Sequence, residues 1–437
     1  MKILQILLDG LGDRAYKELG YKTPLQAAHT PNLDYLAGIG SNGIFHASIP
    51  GECLPSEIAH YLMFGYERDD FPGRGLLEAV GDNVTFQDDD ILCLSHLADI
   101  SFDNGVPILI KGRDEITGDK EILGKLFRNI SKYKTRGITF RLVQTRRNDA
   151  TLIMSGKVSP YISDSDPIVK GNPIASIELV ENNPEPEMAE NTAGALNEYL
   201  CYCHKILSSQ KHKANFLVTQ RCGRRRVQKS FEKIWGLKGL LMASASIYTG
   251  LANEIGLDYI TVKDSKNPGK DLSERINIAL KDKEHDFFHV HTKAPDEAAH
   301  KGTPEHKKVI ITELDKCFTG LIKEINKRDD LLVAITADHS TPSDSPLIHS
   351  GEPVPIMITG PNVRRDNVDT FDEINAANGC LGFLRGKELI LMLLNYADRS
   401  MLTSHQLGSE KRVYYPGQYP VFNIRSKLKA QSSKGKR

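Results

Sequence analysis

An aspartate and a histidine one helical turn apart, Asp296-x-x-x-His300, can turn a carboxylate and an imidazole toward a single point. A second such pair, Asp338-His339, directly follows the apolar run 331–336, so one strand would deliver both ligands to one sheet edge. His349 comes next, in Ser345-Pro346-Leu347-Ile348-His349-Ser350-Gly351, ahead of a strand-like stretch at 354–358. Near the start of the chain the apolar run 3–8 stops on Asp9 and enters Gly10-Leu11-Gly12-Asp13. Carboxylates mixed with imidazoles suit Mn²⁺, Zn²⁺, Co²⁺ or Fe²⁺, whereas Mg²⁺ prefers oxygen and water.

Ser56 lies in Pro50-Gly51-Glu52-Cys53-Leu54-Pro55-Ser56-Glu57-Ile58-Ala59-His60, with a proline before it and a helix-forming run after it. That context places it at a helix N-terminus, where free N–H groups and the helix dipole favour an approaching phosphate. Taken alone, such a serine reads as a helix cap. No Gly-x-Ser-x-Gly elbow surrounds it, which excludes the usual acyl-transfer nucleophile.

These residues need a scaffold that gathers distant segments. Runs 286–291 and 331–336 read as strands. Between them Val309, Ile310, Leu314, Phe318, Leu321, Ile322 and Ile325 recur at helical spacing over 304–326, opened by Thr303-Pro304. Strand, helix, strand implies a parallel sheet with crossover helices, and ligands at its carboxyl edge. The centre has its own strand candidates at 138–143, 151–154 and 215–219, a helical stretch at 193–208, and a loop at 160–173. Site-like residues flank it on both sides. The expected organisation is therefore a discontinuous α/β domain, 1–111 and 231–400, interrupted by a smaller α/β or α+β domain at 112–230. Residues 401–437 form an extension whose basic end is expected to be a solvated, disordered tail.

Composition narrows the function classes. The chain has 437 residues, 40% hydrophobic and 26% charged, which is the balance of a folded globular protein. Lys plus Arg and Asp plus Glu number 56 each, so no global field steers it toward nucleic acid. No window reaches the ~18 apolar residues of a membrane span. Seven cysteines, an odd number without framework spacing, point to reduced thiols and a cytoplasmic setting. Cys201-x-Cys203 reads as two helix thiols, and Gly10-x-Gly12 lacks the third glycine of a dinucleotide fingerprint.

Longer motifs carry a resemblance. Asp9-Gly10-Leu11-Gly12-Asp13, the stretch Thr23-Pro24-Leu25-Gln26-Ala27-Ala28-His29-Thr30-Pro31-Asn32-Leu33-Asp34, and Gly73-Arg74-Gly75-x-x-Glu78-Ala79 resemble the archaeal-type cofactor-independent phosphoglycerate mutases of the alkaline phosphatase superfamily. Asp296-Glu297-Ala298-Ala299-His300, Ala337-Asp338-His339-Ser340-Thr341-Pro342, His349-Ser350-Gly351-Glu352-Pro353 and Phe371-Asp372-Glu373 are similar to that family as well. The resemblance implies an alkaline-phosphatase-like, mostly parallel sheet flanked by helices. It also implies two divalent ions, Mn²⁺ first, with Zn²⁺, Co²⁺ or Mg²⁺ as alternatives. Asp296, His300 and His349 would hold one ion; Asp9, Asp338, His339 and Ser56 would hold the other. Ser56 would take the phosphoryl group of 3-phosphoglycerate and return it to the other hydroxyl. Arg74, Arg146, Arg147, the cluster Arg221, Arg224, Arg225 and Arg226, and Asp166 are the candidates to bind the small phosphorylated acid.

The nucleophile motif and the inserted segment depart from the family pattern. Leu54-Pro55-Ser56-Glu57 replaces Pro-Gly-Ser-Asp, Ile168 replaces the histidine after Asp164-Ser165-Asp166-Pro167, and Arg221-Cys222-Gly223-Arg224 replaces Arg-Gly-Ala-Gly. A second reading therefore keeps the site and changes the reaction: a metal-dependent phosphohydrolase or phosphotransferase acting on another small phosphorylated or phosphonylated acid.

Overall fold

The computed structural model describes residues 1–400 and 422–425. The expected disordered tail otherwise lies outside the described residues. Among the described residues, fourteen strands form two sheets. In chain order they are β1 (Lys2–Leu8), β2 (Ser41–His46), β3 (Ile91–Asp103), β4 (Val106–Lys111), β5 (Lys132–Thr135), β6 (Ile138–Gln144), β7 (Asp149–Ser155), β8 (Phe216–Gly223), β9 (Gly239–Ala243), β10 (Asp258–Thr261), β11 (Phe287–Thr292), β12 (Leu331–Thr336), β13 (Val354–Thr359) and β14 (Gly382–Arg385).

The larger sheet runs β10-β9-β11-β1-β12-β13-β2-β14. Strands β1, β11 and β12 are near-continuous apolar runs because the sheet is covered on both faces, leaving no solvent side for alternation to mark. Both β11 and β12 pair with β1 in parallel, with Leu8 beside Thr292 and Leu7 beside Thr336. That register carries Asp9, the segment after Thr292 and the segment after Thr336 out of the same edge. Only β13 runs antiparallel to its neighbours, β12 and β2.

The helix expected over 304–326 is two helices, Pro304–Asp315 and Phe318–Ile325. Its apolar face is buried at Ile311, Leu314, Phe318 and Leu321, but Val309 is exposed. A polar contact marks the junction. Buried Asp315 accepts hydrogen bonds from the backbone N–H groups of Asn32 (3.1 Å) and Leu33 (2.8 Å), capping the neighbouring helix Pro31–Gly38. A hydrophobic pattern does not register that contact.

The second sheet is antiparallel, in the order β4-β3-β7-β6-β5, with β8 on the other side of β3. Its own core runs from Ile91 to Val218 beneath the helices Lys120–Asn129 and Pro186–Ser208. β3 and β4, which precede the expected boundary at 111/112, belong to this sheet. The end of β3 and the turn to β4 form an exposed ribbon with Ser101, Asp103 and Asn104, a polar signature that reads as connector.

A disulfide joins Cys93 on β3 to Cys222 on β8, which corrects the expectation that every thiol is reduced. The two cysteines are 129 residues apart in sequence, and only the antiparallel pairing of their strands brings them together. Cys201 and Cys203 are free thiols on the helix Pro186–Ser208. No helix among the described residues is long and apolar enough to cross a membrane.

Candidate metal centre and its neighbouring pocket

Asp9 ends β1, and Asp338-His339 follow β12. Asp296 and His300 sit on the helix Ala294–Lys301 that follows β11, and His349 precedes β13. The six side chains gather into two groups, Asp296 with His300 and His349, and Asp9 with Asp338 and His339. Within each group the ligand atoms lie within 4.8 Å of one another. In the first, Asp296 Oδ1 is 3.2 Å from His300 Nε2 and 3.7 Å from His349 Nε2. In the second, His339 Nε2 is 3.2 Å from Asp338 Oδ2 and 3.5 Å from Asp9 Oδ1. Ser56, the first residue of the helix Ser56–Met63, places its Oγ 3.0 Å from His339 Nε2.

Surrounding groups fix which atoms face inward. His349 Nδ1–H donates to the Leu54 carbonyl at 2.8 Å, leaving its Nε2 lone pair toward Asp296. His339 Nδ1 bonds Thr341 Oγ1 at 3.2 Å, and that hydroxyl donates to Asp296 Oδ1 at 2.8 Å, linking the two groups. The Gly10 N–H donates to Asp338 Oδ1 at 3.1 Å. Gly10 has φ +63°, and a Cβ there would lie 2.5 Å from Thr341 Oγ1 and 2.9 Å from Asp296, so this turn requires glycine.

The donor set fits a cation. Asp9 Oδ1 and Asp338 Oδ2 are buried side-chain oxygens without a hydrogen-bond partner. Burial, then the nearby Asp9 charge, pushes the Asp338 carboxyl well above the usual range. Burial would raise Asp9 too, but the hydrogen bond from His291 Nε2 at 3.0 Å, with the charges around it, holds it low. Burial and the neighbouring His349 push His339 down to about 3, which keeps its imidazole neutral, the form that binds metal. A charged Asp9, an Asp338 carboxyl held protonated by burial and that charge, and a neutral imidazole form a donor set that a divalent cation would draw into its ligating form.

Beside Ser56 opens a cavity of about 350 Å³ between the two sheets, lined by Glu57, Arg74, Tyr161, Arg221, Arg224 and Arg226 among others. Arg74 begins the helix Arg74–Gly81, just after Gly73 at φ +93°, where a Cβ would strike the Gly223 backbone at 2.5 Å. The proposed binding residues divide. Arg74, Arg221 and Arg224 line this cavity, whereas Arg147 and Asp166 do not. Arg147 donates to the carbonyls of Asp114, Ile116 and Gly118, anchoring a loop of the second sheet. Its neighbour Arg146 pairs with Glu78 and Asp82. Asp166 accepts from Gln220 Nε2 at 3.1 Å and from the Ile168 N–H at 2.8 Å. Ile168 itself sits at φ +64°, a strained position for a β-branched residue.

Sequence reasoning missed Glu57, Thr341, His291 and Tyr161 as members of this constellation, whereas Arg226, a candidate from its arginine cluster, does line the cavity. Thr341 and Glu57 adjoin residues already singled out, and that adjacency was the available signal. Nothing in the spacing marks His291 or Tyr161.

The sequence profile of the Metalloenzyme superfamily matches residues 1–396. A 2,3-bisphosphoglycerate-independent phosphoglycerate mutase 2 from Methanocaldococcus jannaschii is 39% identical, over 95% of this chain and 98% of its own length. The chain belongs to the cofactor-independent phosphoglycerate mutase family. A Methanopyrus kandleri member of that family is 32% identical over 91% of this chain and 97% of its own. Among solved structures, a Pyrococcus horikoshii protein superposes with a TM-score of 0.73 at 27% identity, covering 92% of this chain and 99% of its own. The cofactor-independent phosphoglycerate mutase of Thermoplasma acidophilum does so with a TM-score of 0.60 at 28% identity, over 91% and 100%. Membership in this family agrees with a divalent-metal site at the edge of the larger sheet.

Proposed function

We propose that this chain interconverts 2- and 3-phosphoglycerate through a phosphoserine at Ser56, using two divalent ions, Mn²⁺ first. The observation that supports the reading is Ser56 Oγ, 3.0 Å from His339 Nε2, with its chain neighbours Pro55 and Glu57 lining the arginine-rich cavity. Asp296, His300 and His349 would hold one ion, and Asp9, Asp338, His339 and Ser56 the other. Such ions supply Lewis-acid stabilisation of phosphoryl oxygens and lower the pKa of a coordinated hydroxyl.

The chain's own residues then account for the rest. Ser56 Oγ attacks phosphorus, the Oγ–P bond forms as the substrate C–O–P bond opens at phosphorus, and the released hydroxyl gains the proton that serine loses. Arg221, Arg224 and Arg74 retain the glycerate by its carboxylate while it turns. Its other hydroxyl attacks the phosphoserine, and Ser56 is regenerated. Keeping glycerate between the sheets favours return of the group over loss to water.

The test is to supply 3-phosphoglycerate to protein loaded in turn with Mn²⁺, Co²⁺, Mg²⁺ and Zn²⁺, without 2,3-bisphosphoglycerate, following 2-phosphoglycerate and free phosphate separately. Isomer formation with phosphoserine at Ser56 by mass spectrometry is expected. Phosphate release without isomer would replace this reading with a phosphohydrolase, the alternative that the altered segment around Ile168 and Arg221 motivates.

A further inference from the structure

The residue after the nucleophile is a carboxylate buried inside the pocket that is read as receiving a carboxylate. Glu57 has 2% of its surface exposed. Its Oε1 accepts from Arg221 Nη1 at 2.9 Å, and its Oε2 lies 3.5 Å from Arg74 Nη1. The two arginines that line the cavity reach it from different elements, Arg74 from the first turn of the helix Arg74–Gly81 and Arg221 from β8.

Arg221 is aimed with effort. Its backbone sits at φ +54°, and its N–H donates to Asp164 Oδ1 at 2.6 Å, a contact that holds this unfavourable conformation. Yet the guanidinium so placed gives Glu57 a single nitrogen, although a guanidinium can offer a carboxylate two parallel N–H bonds. Arg74, by contrast, has a second partner in Glu78 at 2.9 Å. Arg221, like Arg224 with its single-nitrogen contact to Glu185, thus holds a pairing that a bidentate carboxylate would better, and Arg221 is the one whose partner is Glu57.

We infer that Glu57 is an internal stand-in for the substrate carboxylate: it neutralises Arg221 in the empty pocket and is displaced from it when the ligand's carboxylate binds, remaining on Arg74. The inference rests on the mutase reading for the identity of the ligand, but the exchange itself is a property of Glu57, Arg74 and Arg221. Such a stand-in makes the pocket selective. A phosphoester without a carboxylate gains nothing by breaking the Glu57–Arg221 pair. An acid gains a bidentate contact and loses a monodentate one. Apparent affinity for acids is lowered by the fraction of time that Arg221 is occupied by Glu57.

The experiment is calorimetric titration of Mn²⁺-loaded Ser56→Ala protein, with and without Glu57→Gln, using three probes: 3-phosphoglycerate, sn-glycerol 3-phosphate and oxalate. The Gln variant keeps the shape and removes the competing charge. Expected is a tightening of about 3- to 10-fold for 3-phosphoglycerate, with sn-glycerol 3-phosphate changed by less than about twofold. Equal tightening of both phosphoesters would mean a general field effect and would overturn the inference. So would unchanged or weakened binding of 3-phosphoglycerate, the result expected if Glu57 only ties the two sheets together. If Glu57→Gln does not fold, Glu57→Asp, one methylene short of Arg221, must show the same pattern at smaller size. If 3-phosphoglycerate binds to neither protein, the mutase reading fails and oxalate decides: tighter binding to the Gln variant upholds the exchange, unchanged binding overturns it.

Discussion

The two walls of this cleft treat buried charge in opposite ways. At the edge of the larger sheet, Asp9 Oδ1 and Asp338 Oδ2 are buried with no hydrogen-bond partner, and the imidazole between them is neutral. In the adjoining pocket each of the three arginines singled out for substrate already faces a protein carboxylate: Arg221 with Glu57, Arg74 with Glu57 and Glu78, Arg224 with Glu185. One wall carries buried carboxylate oxygens without hydrogen-bond partners, which a bound cation would satisfy. The other pairs three arginines with carboxylates, holds Arg226 by the Asp69 carbonyl and the Tyr161 hydroxyl, and can change partners. The metal edge should therefore govern both turnover and stability, and the pocket should govern affinity with little effect on folding.

The largest effect should come from the atom where the walls meet. Ser56→Ala should lower turnover by on the order of 10³-fold or more and abolish phosphoserine on mass spectrometry, with the melting temperature nearly unchanged. Turnover surviving that change would break the comparison at its centre. Asp338→Asn should likewise abolish activity, but should raise the stability of chelator-treated protein by roughly 1–2 kcal/mol by removing one of two adjacent buried carboxylates. Wild-type protein should melt lower after chelation and recover with Mn²⁺, by about 2.7 kcal/mol at a hundredfold excess over the dissociation constant. Equal melting with and without metal would mean that the edge binds no cation.

Behind the same edge Glu373 accepts from the Asp13 N–H and the Thr23 hydroxyl, and burial pushes its carboxyl up from 4.5 to about 7. The folded protein then holds this proton more tightly than the unfolded chain does. The stability it contributes is full below pH 4.5 and is lost as pH rises through about 7, by up to ~3 kcal/mol. Glu373→Gln should flatten that decline in thermal melts between those limits; an unaltered slope would assign it to other groups. On the pocket side, Arg221→Lys should keep the charge but lose the fork. KM for 3-phosphoglycerate should rise about 10-fold while the melting temperature moves little.

How much of this was legible in the chain follows the same division. The metal edge depends on strand ends. Apolar runs that stop at Asp9 and Asp338 are visible one residue at a time, and parallel register does the rest. The arginine pocket depends on contacts between two sheets, which no local period encodes. Arg74 and Arg221 were found through motifs, yet Glu57, which joins them, looked like a weak copy of a family aspartate. The Cys93–Cys222 bond and the first two strands of the second sheet were hidden for the same reason, because each is defined by a partner far along the chain.

Arg147 gives the smallest effect and the cleanest contrast. Sequence placed it with Arg221 as a carboxylate ligand, but its guanidinium bonds three main-chain carbonyls of residues 114–118, outside the pocket. Arg147→Ala should leave KM and kcat within about twofold, since nothing it touches lines the cavity, and should cost about 1–2 kcal/mol of stability through carbonyls left unpaired. The pattern is the reverse of that for Arg221→Lys, which moves affinity and spares stability. If both substitutions raised KM alike, the second sheet would recognise substrate over a wider surface than the cavity beside Ser56.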